Sequence, residues 1–458
     1  MFCDDRPDYP MTGFFRLRFS QRLDFCAMDA AIQATLARHP LLRSKVRRDA
    51  HDRLCWEPVA TDSIPFRQWS ADSQTEYPAA EYVDLTRSAG TRIWLVDRNG
   101  THDLVVQIHH SCTDALGMCQ MISDLLLIYA RQAGSPGSDV ELPPLDNERL
   151  LHRNRFGLTW GKLLRMLPSQ ILGLSMVGKF LSRKAASLGL SAADQTSDEP
   201  VVFPSPSTFD FDRCETAAIL AEARRKRATV NDLLARDLFL ALNTWRNENG
   251  AGINGDWLRF FVPLNQRTEV DQTMSAANVI SAVFLERNPQ QLAEPEILLR
   301  SIQAEMLRIR SRQLGLLFIA AHTLFSRFPR LRNHIIGGGK CVSSCVFSNL
   351  GVILNRTPLS RQDGKLAIGD ILLDGVDFIA PVRPQTSAAF CVYTYAGRLS
   401  VNLHCDSRAI SKHQADELLR CVVRQIRGSL QGAPPKESSP VADHEITRND
   451  QHPANRRS

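Results

Sequence analysis

The chain has 458 residues, more than one ordinary hydrophobic core organises, so two lobes with a cleft between them are expected. Hydrophobic residues at 43% and charged residues at 23% exclude a disordered or fibrous chain. The net charge of +6 is thin over this length, and the densest basic run, Arg224 to Arg227, has no interleaved aromatics, so nucleic acid is not an expected partner.

Met1 to Pro10 carry four charged side chains and no apolar run, so no secretory signal is expected. Phe14 to Phe19 alternates as a strand. Met28, Ala31, Ile32, Thr35 and Leu36 then repeat at helical spacing up to the stop signal His39-Pro40. Arg92 to Val96 and Leu104 to Ile108 flank Asn99-Gly100, which predicts a hairpin. After Gly117, residues Met118, Ile122, Leu125, Leu126 and Tyr129 share one helix face, followed by a Gly- and Pro-rich loop from Gly134 to Pro144. A first lobe over 1–150 is therefore expected.

Residues 151–200 read as an inter-lobe connection. Within it, Trp160, Leu163, Leu164, Met166 and Leu167 beside Lys162 and Arg165 form an amphipathic stretch. Its apolar side suits packing on the protein; peripheral membrane contact through 156–184 is the alternative. A second lobe over 201–430 contains the strands Leu258 to Leu264, Ser281 to Leu285, Ala389 to Tyr395 and Leu399 to Leu403. Its last helix opens at Ser411, capped reciprocally with Gln414, and buries Ala415, Leu418, Leu419, Val422 and Ile426. Residues 431–458 are polar and Pro-rich and read as a disordered tail. No apolar run reaches the ~18 residues of a membrane span. The eleven cysteines are scattered without a CxxC pair, which fits reduced thiols and a cytoplasmic protein.

The segment Leu104 to Gly117 carries the chemistry. His109 and His110 close an apolar strand, and Asp114 follows the second histidine by four residues just before a helix. A strand end fixes the backbone while the side chain projects into a cleft, and an imidazole transfers protons at neutral pH. Asp114 can either orient the His110 ring or pair with a distant arginine; spacing does not choose. Two other chemistries use the same residues: Cys112 as a nucleophile activated by His110, and a zinc site built from His109, His110 and Asp114.

His109, His110 and Asp114 resemble the motif of the HHxxxDG acyltransferases, which include nonribosomal-peptide condensation domains, alcohol acetyltransferases, polyketide-associated acyltransferases and wax ester synthases. The motif glycine is Ala115 here, with Gly117 two residues later. The resemblance runs in order through Leu36 to Arg43, Thr229 to Leu234, Val262 to Arg267, Asn278 and Phe347 to Gly351, reaching about Gly428. Thr229 with Asp232 is also a plain capping box, and His39 before Pro40 a plain helix terminator. The resemblance implies an α/β fold of two chloramphenicol-acetyltransferase-like sandwich lobes with a tunnel between them. It implies an acyltransferase that moves an acyl group from acyl-CoA or an acyl carrier protein to a hydroxyl or amine of a small-molecule or lipid acceptor, with no cofactor or metal. In that scheme His110 is the general base, with His109 and Asp114 in the catalytic motif. Asn278, Ser348 and Asn349 are tunnel or oxyanion candidates, and Arg267 is the structural partner of Asp114. A monomer is expected. The alternative is a condensation-like module that binds a carrier protein without catalysing.

Overall fold

The computed structural model describes residues 5–70, 77–135, 141–155, 175–189, 204–249, 257–316 and 341–430, with 161, 173 and 319. The expected tail and most of the amphipathic stretch, including Trp160, Leu163, Leu164, Met166 and Leu167, lie outside the described residues. Residues 175–182, at the end of that stretch, are helical.

From the N-terminus, β1 (Thr12–Phe19) and α1 (Phe25–Arg38) lead to a small hairpin of β2 (Ser44–Arg48) and β3 (Leu54–Pro58). Then come β4 (Phe66–Ser70), β5 (Thr91–Asp97), β6 (His102–His109) and α2 (Ala115–Gln132). β5 and β6 pair antiparallel, and the turn between them uses left-handed φ values of 54° at Asn99 and 113° at Gly100. This is the backbone that Asn-Gly favours, because glycine has no Cβ to clash there.

The second half contains β7 (Ser207–Asp210), α3 (Arg213–Arg225), α4 (Val230–Glu248), β8 (Leu258–Asn265), β9 (Ile280–Arg287) and α5 (Pro295–Ser311). It ends with β10 (Cys345–Val352), β11 (Arg361–Gln362), β12 (Lys365–Ile368), β13 (Ile371–Ile379), β14 (Ala388–Tyr395), β15 (Arg398–Cys405) and α6 (Lys412–Leu430). The Thr229–Asp232 capping box opens α4, and Ser411 and Gln414 bond reciprocally at the start of α6.

Two large sheets organise these elements. One runs β11-β12-β13-β1-β6-β5-β4 and the other β7-β15-β14-β10-β8-β9. Three strands from residues 361–379 thus complete the sheet of the first half. β13 carries Asp374, Gly375 and Asp377, which break the apolar pattern of a strand. The break has a local cause: Arg16 faces Asp377 across the β1–β13 ladder and bonds it at 2.6 Å, both side chains buried. A Cβ on Gly375 would lie 2.4 Å from the Arg18 guanidinium. A side chain there would make the partly exposed Arg18 guanidinium move aside.

Strands of the second sheet present alternate faces to two cores, as the period of two requires. Phe260, Phe347, Phe390 and Val401 pack under α4, α5 and α6, whereas Phe261, Val346, Ala389 and Tyr393 join the core shared with the first sheet. β13 is also the seam. Its carbonyls at Leu373, Val376 and Phe378, and that of the following Ala380, bond Tyr395, Tyr393, Asn402 and His404 of the second sheet at 2.7–3.0 Å. Buried carbonyls left without a donor would each cost about 1–3 kcal/mol, so this ladder fixes how the sheets face each other.

Candidate active site between the lobes

β6 ends at His109, and the amide of His110 still bonds the Met11 carbonyl at 2.7 Å, carrying the β1 pairing one residue further. The His110 ring is therefore held at a sheet end. Its Nδ1 lies 2.9 Å from the Thr113 carbonyl oxygen. A carbonyl can only accept, so Nδ1 carries the proton and Nε2 is the basic nitrogen. Among the described residues no hydrogen bond engages Nε2. Burial lowers the His110 pKa below the ordinary 6.5, opposed by the Thr113 carbonyl and the Asp114 charge. The neutral ring is the form at neutral pH.

His109 has the opposite tautomer. Its Nδ1 accepts from the Ser111 amide at 3.1 Å, which leaves the proton on Nε2, 3.3 Å from Asp5 Oδ2. The ring is fully buried and does not reach the cleft. Adjacent histidines on a strand end point to opposite sides, and only the second faces the space between the lobes.

Asp114 is the N-cap of α2, accepting from the Gly117 amide at 2.9 Å. Its other oxygen accepts from Arg267 Nη1 and from the Val279 amide, both at 2.8 Å. Of the two roles open to Asp114, this geometry matches pairing with the distant arginine; no hydrogen bond joins it to the His110 ring. Arg267 comes off the end of β8 and its Nη2 also bonds the Ala277 carbonyl at 2.7 Å. Ala115 is the first helical residue of α2 and needs no left-handed backbone, so alanine meets the requirement where the motif has glycine. The glycine the packing needs is Gly117: a Cβ there would come within 2.2 Å of Thr113 Oγ1 and 3.0 Å of the Ala277 backbone.

The segment 273–279 of the second half latches onto the first. Besides Ala277 and Val279, Asn278 Nδ2 donates to the His110 carbonyl at 2.7 Å, and the Ala276 amide donates to His39 Nδ1 at 3.0 Å. Asn278 is thus committed to the His110 backbone and is not among the residues lining the cavity. His39, which reads as a helix stop, is buried and also bonds across the lobes.

A cavity of about 170 Å³ opens between the sheets beside His110. Phe15, Ile108 and Phe378 line it from the first sheet, and Phe261, Ile280 and Val346 from the second. Ser348 and Asn349 on β10 line it too, and Asn349 Oδ1 accepts from the Gly351 amide at 2.9 Å. Of the residues singled out in the sequence, His110, Asp114, Ser348 and Asn349 therefore meet at one cavity. Arg267 is bonded to its wall, Asn278 stands behind His110, and His109 faces away. Thr113 and Met11, which orient His110 through carbonyl oxygens, carry no sequence signal, since every residue has a carbonyl.

The two competing chemistries lose their geometric basis. Cys112 is fully buried against Gly90, whose added Cβ would lie 2.3 Å from its sulfur, and burial drives its thiol pKa far up, away from thiolate. His109, His110 and Asp114 direct their side chains to different partners, and no cluster of three metal-ligating residues occurs among the described residues.

The arrangement has structural relatives. The first condensation domain of the CDA synthetase superposes with a TM-score of 0.67 over 93% of this chain and 92% of that one, at 14% identity. The fold is that of a condensation domain. SgcC5 from Streptomyces globisporus superposes with a TM-score of 0.62 over 93% and 94% of the two chains at 15% identity. In sequence, the uncharacterized protein Rv2305 of Mycobacterium tuberculosis strain H37Rv is 25% identical over 293 residues, 61% of this chain. The match spans 63% of that relative's length. No family model matches the chain. No helix among the described residues is long and apolar enough to cross a membrane.

Proposed function

We propose that this chain is an acyltransferase that moves an acyl group from a thioester, acyl-CoA or acyl carrier protein, to a hydroxyl or amine, with His110 as general base. The observation that carries the reading is the His110 ring at the inter-lobe cavity, with Nδ1 held by the Thr113 carbonyl and Nε2 left as the basic atom. Nε2 takes the acceptor's proton as its oxygen or nitrogen attacks the thioester carbonyl. The tetrahedral intermediate then collapses, the C–S bond breaks, and the imidazolium returns the proton to the thiolate.

Developing charge on the carbonyl oxygen needs a donor, and the Ser348 hydroxyl at the cavity wall is the side chain assigned that role. Asp114, Arg267 and Asn278 act as positioning residues that hold α2 and His110 against the second half. The apolar walls suit an apolar acyl group or acceptor. A carrier-binding module without catalysis was the other reading, prompted by Ala115. A helical Ala115 removes that reason.

The test is thiol release over a panel of acyl thioesters and acceptors, with His110→Ala beside wild type. Wild type is expected to release thiol only with an acceptor present, and the variant to lose the activity by about two to four orders of magnitude. Thioester binding with no turnover in wild type would favour the carrier-binding module instead.

A further inference from the structure

Asp5 lies outside every motif, yet it sits against the candidate base. Its side chain is only 6% exposed. Oδ1 accepts from the Met11 amide at 2.9 Å, and Met11 in turn accepts the His110 amide at 2.7 Å. Oδ2 lies 3.0 Å from the Tyr82 hydroxyl, which donates to it, and 3.3 Å from His109 Nε2. The far side of the His109 ring takes the Ser111 amide at 3.1 Å.

One carboxylate therefore governs the peptide units on both sides of His110. Met11 holds the amide that precedes its Cα, and the His109 ring holds the amide of Ser111 that follows it. Resting on the reading of His110 as base, we propose that Asp5 is a positioning residue for the reaction. By bonding the Met11 amide and facing the Nε2 proton of His109, it sets the His110 backbone so that the basic nitrogen faces the cavity. Burial alone would raise the Asp5 pKa; bonds from His109, Met11 and Tyr82 outweigh it and lower the value, so the group is a carboxylate at neutral pH.

A structural anchor with no bearing on the base would leave the histidine rings as they are. The experiment therefore reads the rings directly, on the full chain labelled with 15N-histidine, using long-range 15N–1H spectra assigned with His109→Gln and His110→Ala. In wild type His109 is expected in the Nε2–H form and His110 in the Nδ1–H form. Asp5→Ala is expected to abolish the His109 pattern and move the His110 signals toward exchange-averaged imidazole. Thiol-release kcat should fall about tenfold to a hundredfold, the usual cost of a misplaced catalytic group, with KM changing by less than about twofold.

Asp5→Asn keeps the size and an acceptor for Met11 but turns a donor toward the His109 Nε2 proton. It should shift the His109 signals even where Asp5→Ala fails to fold. Unchanged ring spectra in folded Asp5→Asn or Asp5→Ala overturn the proposal, as does kcat within about twofold of wild type. A failure of the base reading looks different: His110→Ala keeps full activity. Asp5 then has no reaction to position, and the proposal falls with it.

Discussion

Replacing Asp114 by alanine tests what this aspartate does. The substitution removes the cap of α2, worth about 1 kcal/mol. It leaves the Val279 amide, now bonded at 2.8 Å, without an acceptor in a buried place, at about 1–3 kcal/mol. It also strips Arg267 of its carboxylate. That side chain is 15% exposed and keeps the Ala277 carbonyl, so the penalty sits near ~1 kcal/mol, below the ~3–5 kcal/mol of a fully buried broken pair. The expected loss is about 3–5 kcal/mol, read from urea unfolding followed by tryptophan fluorescence. Arg267→Ala and the double variant close a mutant cycle, and a coupling of about 1–3 kcal/mol is expected for groups in direct contact. A loss below about 1 kcal/mol for Asp114→Ala refutes the latch. Wild-type stability with thiol release abolished would instead move Asp114 into proton transfer.

Three further outcomes follow from the site. Because burial lowers the His110 pKa, its basic form persists below pH 6.5 and is lost only as pH falls through the lowered value; kcat/KM should hold more than half its plateau at pH 6.5, and an acid limb centred above 6.5 contradicts the assignment. Cys112→Ser should keep kcat within about threefold, and intact-protein mass spectra of wild type mixed with thioester should show no acyl adduct, whereas an adduct lost in the variant restores the nucleophile. Gly117→Ala should cost about 1–3 kcal/mol by overpacking against Thr113 and Ala277, whereas Ala115→Gly should cost no more than ~1 kcal/mol; equal effects in urea unfolding would contradict the packing.

Much of the local structure was legible because it repeats within a short window. Alternation marked β1, short apolar runs marked β5, β6, β8, β9, β14 and β15, and the helical spacing marked α1, α2 and α6 with its buried face. The cavity also gathers His110, Asp114, Ser348 and Asn349, which short motifs had singled out far apart in the chain. β13 was not legible, since Asp377 and Gly375 face Arg16 and Arg18 and Asp374 bonds Lys365, partners that only the fold brings together.

The sequence by itself determined the local strands and helices and a histidine pair at a strand end, because side-chain type and spacing encode both; the two-lobed α/β sandwich and the choice of His110 followed from the resemblance to the HHxxxDG acyltransferases. Tertiary structure alone decided that strands from residues 361–379 join the first sheet, that segment 273–279 crosses to grip α2, and that neighbouring histidines take opposite tautomers. Those choices are made by backbone amides and carbonyls, which are chemically alike at nearly every position. Only the folded chain tells which of them meet.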